Sequence, residues 1–94
     1  MQKELHADLI NGQFTPEDAR ELLTDLFSRK TNFHEIKNFS ATERFGKDDP
    51  VHVNRIDALT NSMRQLNELF REVEGSGKQL VIRSVVSISV TDNG

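Results

Sequence analysis

Residues 33–46, FHEIKNFSATERFG, are the stretch on which the architecture turns. Phe33, Phe39 and Phe45 recur at a spacing of six, and on a helix six residues turn about 600°, so the three rings cannot share one face of a continuous helix. The segment is therefore expected to break. Asn32 with Glu35 resembles a cap followed by its acid, and Ser40-Ala41-Thr42-Glu43 has the S-x-x-E form of a capping box. The spacing therefore predicts two short helical turns, at 33–38 and 41–45, the second stopped by Gly46.

On the N-terminal side, FTPEDARELL carries a helix start. Thr15 can cap, Pro16 suits the first helical position, and Glu17 and Asp18 set negative charge against the helix dipole. Ala19, Leu22, Leu23, Leu26 and Phe27 then form one apolar stripe, which predicts a helix to about Arg29 or Lys30. On the C-terminal side, Asp49-Pro50 repeats the cap-plus-proline pattern, and the helix it opens should run to about Glu74, where EGSGK supplies glycine. Within it Ile56, Leu59, Met63, Leu66, Phe70 and Val73 step by three and four, a heptad seam that must be covered. Two covers are open: the chain's own sheet and helix, or a second copy.

The two ends read as strands. In QLVIRSVVSISV, residues 79–90, Leu80, Ile82, Val86, Ile88 and Val90 take the even positions, with Ser84 among them, so one face is apolar. In KELHADLIN, Leu5, Ala7 and Leu9 alternate, although Met1, Leu5 and Leu9 would also line one side of a helix. A strand ending at an Asn11-Gly12 turn is preferred, because the C-terminal strand needs a partner. The fold expected is a small single α+β domain, β-α-(short helical bridge)-α-β, with helices on one face of a small sheet. Two strands make a poor sheet alone, so dimerisation is expected to complete it.

Composition limits function. Ninety-four residues make one domain with a thin core. No apolar run approaches a membrane span, and the charges in MQKELHADL leave no room for a signal peptide's apolar segment, so a cytoplasmic protein is expected. There is no cysteine, which removes disulfides and thiolate chemistry. The zinc pattern H-E-x-x-H begins at His34-Glu35, but position 38 is Asn. EGSGKQ resembles the end of a phosphate loop, yet its first glycine is missing and Gln79 stands where Ser or Thr is needed. No serine sits in a nucleophile elbow. Asp48-Asp49 is explained by helix capping, and His52 by an exposed position near a helix start. No catalytic residue, cofactor or metal is expected.

Charge is uneven. The chain carries −3 overall, while Arg29 to Lys47 holds five Lys/Arg against two acids. A candidate partner-binding surface follows: Arg29, Lys30, Phe33, His34, Lys37, Phe39, Arg44, Phe45 and Lys47. It suits an acidic protein or peptide. The alternative occupant is nucleic acid, with phosphates on the cations and bases on the rings, and it makes the protein a nucleic-acid-associated accessory protein. The plain alternative to both is a crossover pinned to the main helices by its phenylalanines. A non-enzymatic, homodimeric interaction or assembly protein is the function expected.

Overall fold

A computed structural model describes residues 3–92. Strand β1 (Glu4–Phe14) leads to helix α1 (Pro16–Phe45), which turns back into helix α2 (Pro50–Val73), and strand β2 (Leu80–Ser89) returns antiparallel to β1. The two helices form an antiparallel hairpin packed against a two-stranded sheet. This is the expected α+β order, with one correction in its middle.

No bridge interrupts the helices: α1 is one element of 30 residues. The helix passes through both predicted breaks, at Asn32 and at Ser40, because residues 17–45 contain neither proline nor glycine and nothing interrupts the i to i−4 ladder. Inside it the Thr42 hydroxyl donates back to the Asn38 carbonyl at 3.0 Å, a partner that the helix itself supplies. The six-residue spacing does scatter the rings over three faces. The sequence leaves their burial open; Phe33, Phe39 and Phe45 are 49, 63 and 70% exposed, so a straight helix needs no common face for them.

The helix starts are as the sequence indicates. Thr15 Oγ1 accepts from the Asp18 N–H at 3.1 Å, and an Asp49 carboxylate oxygen accepts from the Val51 N–H at 2.9 Å. Gly46 ends α1 at φ 72°, donating its N–H to the Thr42 carbonyl at 2.8 Å. After α2, the Ser76 hydroxyl donates to the Val73 carbonyl at 2.6 Å and accepts from the Lys78 N–H at 3.1 Å, which shapes the turn into β2.

β1 also departs from expectation. It does not turn at Asn11-Gly12 but continues to Phe14, with Gly12 paired opposite Ile82. The register slips between Asp8 and Ile10, leaving Leu9 as a bulge. A bulged residue reverses the in-out alternation. Leu5 and Ala7 therefore share a face with Ile10, Gly12 and Phe14, opposite Leu80, Ile82, Ser84, Val86 and Ile88. The hairpin shields only one half of that face. Ile10 is buried and Phe14, Leu80, Ile82 and Ser84 are half-buried, whereas Leu5, Ala7, Val86 and Ile88 are exposed.

The seam of α2 faces α1. Phe70 is 1% exposed beneath the Arg20 guanidinium, 5.6 Å from its ring centroid, while Ile56, Leu59, Met63, Leu66 and Val73 are half-buried. Among the described residues only Ile10, Ala19 and Phe70 are buried apolar side chains. The molecule is a slab of 50 × 38 × 15 Å with a radius of gyration of 17.0 Å and an accessible surface of 7527 Å². No described helix is long and apolar enough to cross a membrane.

Candidate functional site

The distal half of the hairpin carries the residues that the sequence singles out. At about 100° per residue, α1 gathers Arg29, Lys30, Phe33, Lys37 and Arg44 within an arc of about 100°. Phe33 lies at the centre. The Lys30 and Lys37 ammonium nitrogens, one turn before and one turn after it, sit 6.0 and 5.8 Å from its ring centroid. Each such contact at an exposed site contributes about 0.5–1 kcal/mol and holds the ring between two cations. Arg29 is engaged within the same helix, its Nε donating to Asp25 at 3.0 Å.

The other four candidates do not join this face. Phe39 and Phe45 point to other sides of α1, and Lys47 is in the loop between the helices. His34 turns inward. It is the buried polar residue of the hairpin, and its Nδ1 meets His52 Nδ1 of α2 at 2.9 Å. His52 Nε2 in turn lies 3.9 Å from an Asp49 carboxylate oxygen. His34 Nε2 is buried without a partner. Burial, and then the electrostatic influence of His52 and of the Lys30 and Arg55 cations, hold the His34 imidazole below its ordinary pKa, so its neutral ring is favoured. In the neutral pair one Nδ1 donates and the other accepts.

A polar clasp closes the hairpin tip. Asn38 accepts from the Asp49 N–H at 2.7 Å and donates from Nδ2 to Asp48 at 3.2 Å, with the Thr42 hydroxyl 3.2 Å from the same Asp48 oxygen. Sequence reasoning passed over Asn38 except as the residue that spoils a zinc pattern. Its positional task is to join α1 to the start of α2, and no local pattern marks it. Likewise, nothing in spacing pairs His34 with His52.

Closer to the sheet, an open apolar hollow of about 460 Å³ lies between the strands and the hairpin, lined by Ile10, Leu23, Leu26, Leu59, Leu66 and Ile82 and rimmed by Lys30 and Arg83. Among the described residues no three His, Asp or Glu side chains gather as a metal site would require. The chain matches no protein-family model, no curated protein and no solved structure.

Proposed function

We propose that this chain is a non-enzymatic, homodimeric interaction or assembly protein of the cytoplasm. One observation carries the reading: the chain has far more surface than a monomer of its mass. A folded monomer of 10.7 kDa exposes about 5,500 Å², roughly 2,000 Å² less than the 7527 Å² here. Its radius of gyration should be about 12 Å rather than 17.0 Å. An ordinary protein interface removes about 800 Å² per partner, and obligate homodimers remove more than that, so the excess is of obligate size.

A second copy fits this surface because one protomer carries both parts of a reciprocal contact. The hollow lined by Leu23, Leu26 and Leu66 is concave and apolar, and the uncovered half of the sheet, with Leu5, Val86 and Ile88, projects beyond it. Two-fold symmetry lets each projection meet the other's hollow. The Lys30–Phe33–Lys37 face, near the hairpin tip, then remains available for an acidic protein segment. Nucleic acid fits less well: Phe33, Phe39 and Phe45 lie on three sides of α1, so successive bases find no common stacking platform.

Light scattering over a range of concentrations, with refractive-index detection because the chain has neither Trp nor Tyr, tests the first step. A mass near twice 10.7 kDa supports the dimer, and a monomer at every concentration removes it. For the second step, Lys37→Glu with Arg44→Glu should weaken binding of acidic peptides without changing that mass. Unaltered binding would rule out the face, and retardation of oligonucleotides that falls steeply with salt would favour the nucleic-acid alternative.

A further inference from the structure

We infer that the two copies join through the open edge of β2, giving one four-stranded antiparallel sheet in the order β1-β2-β2-β1. This rests on the homodimer reading and specifies how it is built. The two free edges of the sheet are unlike. β1 is interrupted by its Leu9 bulge and turns Glu4 and Asp8 toward the side of the sheet away from the hairpin. Bulges and charges are the devices that keep an edge from pairing. β2 is regular over ten residues, half of them Val or Ile, with Arg83 as its one charge.

Hydrogen-bond parity says which backbone groups are free. Val90 donates its N–H to the Lys3 carbonyl at 2.8 Å, just past the strand ends, so the even positions of β2 bond to β1. Val81, Arg83, Val85, Ser87 and Ser89 therefore direct their N–H and C=O groups to the open edge. A two-stranded sheet is marginal on its own, and an antiparallel copy of the same strand satisfies this row in full.

Symmetry and charge then restrict the register. The two-fold axis must pass close to the middle of the strand for the longest overlap, that is, near Ser84 and Val85. An axis at Arg83 would set two guanidinium groups side by side and is disfavoured. With Val85 on the axis, Arg83 faces Ser87 of the partner subunit and no like charges meet. Antiparallel pairing also sets the covered stretch 80–84 of one strand beside the uncovered stretch 86–89 of the other. The apolar side of each exposed half, Val86 and Ile88, is thereby brought toward the partner's hairpin and the hollow beneath it.

The absence of native cysteine makes the test direct. Ser84→Cys, Val85→Cys and Val86→Cys are oxidised one at a time under mild conditions, with His6→Cys, Asp8→Cys and Asn11→Cys on β1 as the comparison set. Only a residue on or beside the axis brings its Cα within about 7 Å of its own copy, the reach of a disulfide. Most of the chain should become covalent dimer for one of the three β2 variants and for none on β1. In parallel, Val85→Pro removes an N–H that points outward and leaves the ladder to β1 intact, so it should weaken the dimer about a hundredfold through the two symmetric bonds lost. Circular dichroism of Val85→Pro at high concentration checks that its helices persist. A dimer by light scattering with no cross-link on β2, or with one on β1, overturns the edge assignment and leaves the homodimer standing. A monomer overturns both.

Discussion

His34 and His52 meet Nδ1 to Nδ1 at 2.9 Å across the hairpin, and the far nitrogen of His34 is buried without a partner. The lowered pKa of His34 means that the unfolded chain takes up its proton first, near pH 6.5, while the folded chain resists. Its contribution to stability is thus fully present above pH 6.5 and is lost as pH falls through the lower, folded value. The thermal midpoint, followed by far-UV circular dichroism, should drop between pH 7.5 and 5.5, and His34→Leu should drop by less over the same interval. Equal losses in the two proteins would show that His34 does not set this dependence.

Asn38→Ala should destabilise the protein by about 1–2 kcal/mol, since it strips a partner from the Asp49 N–H and from Asp48 at once. Urea unfolding of the variant should show a lower midpoint with an unchanged slope. A midpoint equal to that of the parent would mean that water replaces the clasp without loss.

Gly46→Ala isolates the cost of the left-handed turn. Nothing lies within 4 Å of a Cβ built there, so only backbone conformation opposes the substitution, at about 1 kcal/mol. Gly46→Asn, which accepts this conformation more readily, should recover part of the loss. Equal stability for all three would contradict the αL assignment.

Two phenylalanines on the hairpin should behave oppositely. Phe70→Ala empties the best-buried position and should cost about 3–5 kcal/mol, enough to unfold a domain this thin. Phe39→Ala, at a ring 63% exposed, should stay within about 0.5 kcal/mol. Comparable losses would mean that Phe39 is covered in the assembled protein.

Where a signal is local, the sequence is legible. Thr15-Pro16 and Asp49-Pro50 mark both helix starts because a cap and a proline act within one turn. β2 is read to within a residue from its alternation, and every member of the Ile56–Val73 seam is at least half-buried. The end of α1 is misread because rings spaced by six require a break only if they share one buried face, and all three are substantially exposed. β1 reads too short because Asn11-Gly12 is a local turn signal, whereas pairing with Arg83 and Ile82 of β2, far along the chain, keeps that dipeptide extended. The candidate site is legible in part. Arg29, Lys30, Phe33, Lys37 and Arg44 share a face, whereas the inward turn of His34 depends on a histidine 18 residues further along the chain.

The sheet also dictates an order of events during folding. His6 and Ser87 are paired by a 3.0 Å contact though 81 residues separate them, whereas Asn38 and Asp49 meet across 11. Closing a long loop from an unfolded chain is entropically slow, and contacts so remote in sequence form rapidly only after something has drawn the ends together. The helical hairpin is that something: zipped from its tip, it carries β1 and β2 to the same place. Both helices precede β2 in the chain, so the hairpin can form first and the sheet is made only when β2 pairs with β1. Until then the apolar stripe of α2 is shielded only by α1, and that interval is when the chain is most prone to aggregate.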